Sequence, residues 1–149
     1  MNDITGYWAL LYEDPEDGTI VVEFPDHPTV ITYGNDREDA IEMGREALNA
    51  ALESDYDRHV PLPTPSNKPR AKKGHESVFI PLEPDVRTAF LVRGWREASG
   101  LSQSQMAKRM GISTQAYQRM ERPGRSNLTV ATLDRIAHAV GKRLVLNAE

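Results

Sequence analysis

The sequence predicts an α+β chain of two modules, an antiparallel sheet carrying one packed helix and then an all-helical module closed by a short strand. Three observations lead there. β-Branched and aromatic runs separated by turn residues fill the first part, helical periodicity fills the last, and a proline-rich stretch with a change of charge sign lies between them. Residues 1–60 hold three basic and fifteen acidic side chains, a net −12, whereas residues 61–149 hold fifteen basic and seven acidic, a net +8. The overall charge of −4 hides this split. An acidic module suits basic proteins and a basic module suits a phosphate backbone; two solvated surfaces of opposite sign are the bland alternative.

Tyr7 to Tyr12 reads as a buried strand, and Glu13 to Gly18 as a turn punctuated by Pro15 and Asp17-Gly18. Thr19 to Phe24 (TIVVEF) reads as a second strand and Thr29 to Tyr33 (TVITY) as a third, closed by Gly34. Asp36 is placed to cap the following helix, with Asp39 as the reciprocal half of a capping box. Ala40, Ile41, Gly44, Ala47, Leu48, Ala51 and Leu52 form its apolar stripe, and Glu38, Glu42, Arg45, Glu46 and Asn49 its opposite face. Residues 60–76 (VPLPTPSNKPRAKKGHE) hold four prolines and read as a loop. Ser77 to Leu82 reads as one more strand, placed at a sheet edge by Pro81. The expected domains are therefore residues 1–83 and 84–149.

From Pro84 the pattern is helical. Val86, Ala89, Phe90, Val92 and Trp95 share a face, and Gly100 stops the helix. In LSQSQMAKRMGISTQAYQRME, Ser102 caps a helix to about Met110, Ala107 lets a second helix approach, Gly111 turns the chain, and Ser113 caps the next helix. Met106, Met110, Ile112, Tyr117 and Met120 face inward. This is the helix-turn-helix arrangement, whose second helix enters the major groove. Thr114, Gln115, Gln118 and Arg119 point outward as DNA-binding candidates, and Gln115, Gln118 and Arg119 suit base reading, since Gln pairs with adenine and Arg with guanine. Gln103 and Ser113 stand at helix N-termini that suit phosphate, with Lys108, Arg109, Arg122 and Arg125 as further phosphate candidates. Glu121 ends this helix and is expected to pair locally. Thr129 caps a closing helix with Leu133, Ile136, Ala137 and Val140 inside. Lys142 to Asn147 alternates like a strand, and pairing with the same tail of a second copy predicts a dimer.

Other chemistries find little support. There is no cysteine, which excludes disulfide scaffolds, thiolate zinc sites and cysteine nucleophiles. No apolar run approaches the roughly 20 residues that span a bilayer, and the first residues have no secretion-signal pattern, so a cytoplasmic protein is expected. Asp14, Asp17, Glu23, Asp26, Asp36, Glu38 and Asp39 are plentiful carboxylates, but they fall in turns or on a helix face. His27, His59 and His75 are read as loop residues without a second ligand at metal spacing. No metal, cofactor or catalysis is expected, although metal-dependent nuclease chemistry stays a rival reading.

Leu101 to Glu121 resembles the XRE/Cro-like helix-turn-helix family, with Met106 in place of the usual leucine. Val22 to Leu48 (VEFPDHPTVITYGNDREDAIEMGREAL) resembles the HicB antitoxin signature, as do Pro61-Leu62-Pro63 and the IPL strand. It departs at His27, at Thr29 and at Asp39-Ala40. The resemblance implies a partial RNase H-like fold for residues 1–83, a HicA-type ribonuclease toxin as partner, and repression of the shared operon through operator DNA. It names no toxin-contacting residue here. A helix-turn-helix repressor that senses a small ligand or another protein, and an adaptor without DNA binding, remain the alternatives.

Overall fold

The computed structural model describes residues 3–124 and 128–148. The chain divides into two compact units. One is Ile4–Glu83; the other begins at Pro84, with Asp3 joined to it through the Arg87 guanidinium.

The sheet unit holds β1 (Gly6–Glu13), β2 (Ile20–Glu23), β3 (Ile31–Gly34), α1 (Arg37–Asp57) and β4 (His75–Pro81). The strands lie in the order β3-β2-β1-β4, and each neighbouring pair is antiparallel. Leu11 stands opposite Val22 and Tyr7 opposite Ile80; all four are buried, with Ala9 between them. Side chains alternate along a strand, so these residues mark one face of the sheet, and the core between it and α1 adds Ala40, Leu48 and Leu52. The other face carries Trp8, Leu10, Tyr12, Val21, Ile31, Tyr33 and Phe79. Trp8 and Phe79 meet edge to face at 5.5 Å.

Asp36 caps α1 as the sequence predicts, accepting from the Asp39 N–H at 2.8 Å. The expected reciprocal bond is different: the Asp39 carboxylate accepts from Asn35 N–H, one residue beyond the cap. Asn49 is buried rather than on the solvent face. Its amide donates to the Arg45 carbonyl and accepts from Glu83 N–H, so a polar residue saturates two backbone groups where α1 meets the end of the unit. His75 belongs to β4, not the loop, because it pairs with Tyr12 and its ring lies 4.7 Å from that phenol.

The proline-rich loop runs over residues 58–74, where the sequence predicts 60–76, and three side chains tie it down. The buried Tyr7 hydroxyl donates to the Pro63 carbonyl at 2.8 Å. Asp26 accepts from Ser66 N–H and hydroxyl. Ser77 donates to the Pro69 carbonyl.

The helical unit holds α2 (Pro84–Ala98), α3 (Gln103–Met110), α4 (Thr114–Glu121) and α5 (Val130–Ala139). Val92, Met106, Ala107, Tyr117 and Ile136 form its buried centre, with Trp95, Met110, Ile112 and Leu133 against them. Thr129 caps α5, accepting from Thr132 N–H. Within one chain the expected C-terminal strand is not formed: residues 142–148 make no ladder with any described residue. A strand needs a neighbour, and Val145 and Leu146 instead stand exposed.

α1 lies so close to β3 that a Cβ on Gly34 would stand 2.6 Å from the Ala40 Cα and the Asp39 carbonyl carbon. Both are backbone atoms of the first helical turn, so neither yields by a rotamer change. Gly34→Ala is expected to destabilise the sheet unit by about 1–3 kcal/mol. Urea unfolding followed by Trp8 fluorescence in a Trp95→Phe background measures it, and an unchanged midpoint would contradict this close approach.

Candidate nucleic-acid interface

The corner between α3 and α4 is built from local chemistry. Ser102 Oγ accepts from Gln105 N–H at 3.1 Å, and Gln105 Oε1 accepts from Ser102 N–H at 2.8 Å. This closed capping box starts α3. Gly111 ends it in the left-handed region, at φ 69°. Its N–H donates to the Lys108 carbonyl and the Ile112 N–H to the Ala107 carbonyl. That pattern reverses the chain and turns Ile112 inward. Ser113 Oγ then accepts from Ala116 N–H and starts α4.

One buried charge ties the corner to its support. Glu121 is 1% exposed at the end of α4. Its carboxylate accepts from Arg96 Nε and Nη2, at 2.7 and 2.8 Å, and from the Tyr117 hydroxyl at 2.7 Å. Arg96 also donates to the Leu101 carbonyl, which fixes the entry to α3. Burial pushes the Glu121 carboxyl up, but the Arg96 and Tyr117 hydrogen bonds outweigh it, and the group titrates below its usual range. Arg96 is held above its usual value chiefly by the same hydrogen bond.

The network reaches the surface through two amides. Gln103 Nε2 donates to Glu121 Oε1 at 3.3 Å, and Gln103 Oε1 accepts from Gln118 Nε2 at 3.1 Å. Glu121 accepts only, so it sets the direction of the relay. Gln118 is left presenting its Oε1 and one N–H.

Ser113, Gln115, Gln118 and Arg119 are exposed along α4 and its cap, so the structure brings them to one element. Thr114 is half-buried, with its hydroxyl 3.5 Å from that of Ser104. Gln103 is half-buried beneath Gln118. Lys108 is exposed; Arg109 donates to the Ala139 carbonyl at the end of α5. Arg125 lies outside the described residues. Arg96 escaped the sequence reading as Glu121's partner. The signal was there: a carboxylate four residues after Tyr117 on an inward stripe needs a buried cation, and Arg96 stands beside Trp95 on the facing helix.

Several carboxylates of the sheet unit hold structural positions. Asp14 and Asp17 accept backbone N–H groups in the β1–β2 turn, Asp26 holds Ser66, and Asp36 caps α1. His27 Nε2 lies 2.7 Å from the buried Asp55, which also pairs with Arg58. Among the described residues no three His, Asp or Glu side chains form a metal-binding group, and no helix is long and apolar enough to cross a membrane.

Two short capped helices on a helical support, with polar side chains along the second, define a helix-turn-helix protein of the DNA-binding class. Residues 92–146 match the helix-turn-helix family, and residues 6–87 match the family described as the HicB-like antitoxin of bacterial toxin-antitoxin systems. The chain belongs to the HicB antitoxin family. It is 33% identical to Antitoxin HicB 1 of Photorhabdus laumondii over 95% of this chain and 86% of that protein. It is 28% identical to Antitoxin HicB 2 of the same organism over 95% of each. A solved toxin–antitoxin complex from Streptococcus pneumoniae includes a chain that aligns with 68% of this one and 92% of its own length, at 20% identity and TM-score 0.47.

Glu121→Ala is expected to cost the helical unit about 3–5 kcal/mol, because it leaves the Arg96 guanidinium without its carboxylate. The pH dependence follows from the lowered carboxyl. Its stabilisation is complete above the ordinary value of 4.5 and is lost as pH falls through the depressed one. The stability gap between the wild-type chain and Glu121→Gln should therefore narrow below that pH in denaturant titrations. A gap constant from neutral to strongly acidic pH would contradict the assignment.

Proposed function

We propose that this chain is an antitoxin that binds and inhibits a HicA-type mRNA-cleaving ribonuclease toxin and represses its own operon through operator DNA. The observation that carries the reading is the joining of a HicB-type module of strongly acidic composition to a basic helix-turn-helix module in one chain. An acidic surface complements a small basic nuclease, and the basic module complements DNA phosphate. Residues 1–83 are assigned to toxin neutralisation and 84–149 to DNA binding and dimerisation. The strand order with one helix across a face supports a partial RNase H-like class for the first. The chain itself is assigned no catalytic, metal or cofactor role, since its clustered acids serve turns, caps and loop anchors.

On α4, Gln115, Gln118 and Arg119 are the base readers, with Thr114 beside them. Ser113 and Gln103, at the two helix N-termini, take the phosphates. Gln118 reads with the acceptor and N–H that Gln103 leaves it. The exposed Val145 and Leu146 belong to a tail that pairs with its counterpart in a second copy, which matches a two-fold symmetric operator.

The test co-expresses the full chain with the product of the small reading frame beside its gene. A stable complex that silences RNA cleavage is expected. A chain that ignores this protein but binds its own promoter would instead be a repressor answering another ligand. Gln115→Ala or Arg119→Ala should each weaken operator binding by about 1–3 kcal/mol in filter-binding titrations while toxin inhibition survives. Joint loss of both activities would overturn the two-module assignment. Removal of residues 142–149 should halve the mass in sedimentation, and an unchanged mass would refute pairing through the tail.

A further inference from the structure

We infer that the free edge and exposed face of β3 form the surface on which the basic toxin docks, laying an extended segment along Ile31–Gly34; this rests on the toxin-binding function proposed above. β3 is the outer strand of the sheet, hydrogen-bonded to β2 alone. Alternate backbone N–H and C=O groups of such a strand point outward and offer a template for another strand. Its sequence, Ile-Thr-Tyr-Gly, holds no charge, no proline and no residue that blocks pairing. Ile31 and Tyr33 are 62% and 64% exposed, and Val21 lies between β3 and the sheet centre opposite Tyr33.

The opposite edge, β4, also pairs with one strand alone and exposes Phe79, but it carries guards that β3 lacks. β4 ends in Pro81, Ser77 is tied to the proline-rich loop, and Lys68 lies over Trp8. One edge is guarded and the other is open. Natural sheets guard an edge that has no use.

The surroundings of the open edge select the occupant. From Glu23 to Glu46 the chain carries seven acidic residues and only two arginines. Both arginines are engaged within the unit, Arg37 by Glu76 and Arg45 by Glu42 and Glu83. Glu23 stands opposite Ile31, and Glu38 is exposed in the first turn of the helix that follows β3. Apolar anchors inside an acidic rim fit a basic protein that contributes a strand. A second copy of this acidic unit would bring like charges together there.

The experiment titrates the purified neighbouring toxin into the full-length chain and its variants by calorimetry. Ile31→Lys and Tyr33→Lys place a cation and a polar chain at the anchors, and each should weaken toxin binding at least tenfold. Glu38→Lys, an exposed position away from the strand, should weaken binding several-fold and reduce its salt dependence. Val130→Lys, exposed on the helical unit, should bind as wild type. Amide exchange should slow at residues 31–34 in the complex. Circular dichroism identifies any variant that fails to fold; Glu38→Lys and the exchange data then decide. Wild-type affinity in all three folded variants, or unprotected amides at 31–34, overturns the inference while leaving toxin binding intact. Absence of binding by the wild-type chain defeats the functional reading itself. A change in oligomeric mass with unchanged toxin affinity gives the edge to a second copy and also overturns the proposal.

Discussion

The ion pair between Arg96 and Glu121 is the interaction on which the helical unit depends. A carboxylate sealed from water is tolerable only with its charge and lone pairs met, and here Arg96, Tyr117 and Gln103 meet them. Those partners come from three helices, so α2, α3 and α4 are held at one mutual arrangement. Apolar packing around Met106 and Ile136 supplies the bulk of the burial but tolerates small slides. The hydrogen bonds do not. The same carboxylate also orders the outer surface, since its acceptor-only character decides which atom of Gln103 faces Gln118.

The sheet unit is specified differently. Its core rests on close approach, with glycines at 34 and 44 letting α1 settle on β2 and β3. Asp14, Asp17 and Asp36 hold backbone N–H groups, and the loop after α1 is pinned at Pro63, Ser66 and Pro69. The two most exposed large apolar side chains of this unit, Ile31 and Tyr33, both stand on β3. Both units bury one paired carboxylate, Glu121 with Arg96 in the helical unit and Asp55 with His27 and Arg58 in the sheet unit.

Most of the fold was legible because its determinants are local. Asp36, Ser102, Gly111, Ser113 and Thr129 all act within four residues of themselves, and each stands where the sequence placed it. The misreadings share a cause, which is dependence on distant partners. Asn49 follows a polar stripe, yet the Glu83 backbone drew it inside. Arg96 is one of many basic residues until Glu121 is seen beside it. His75 looks like loop because its neighbours are loop, and only β1 makes it strand. On the candidate interface, the outward direction of Gln115, Gln118 and Arg119 followed from helical period, whereas the Gln103–Gln118 hydrogen bond required the angle between two helices.

The pairing of β1 with β4 also governs when the chain acquires structure. Gly6 meets Pro81 and Tyr12 meets His75, so the first strand made is among the last to gain its second neighbour. Closing that long loop is entropically costly, and contacts of this kind set slow folding rates. The helical unit needs only neighbours close in sequence and lacks this delay. During synthesis, β1 to β3 and α1 precede β4, so one edge of β1 waits unpaired until about residue 81 has left the ribosome. The same topology makes the sheet an all-or-none element: any cut in the loop between α1 and β4 removes the tether that keeps β4 beside β1.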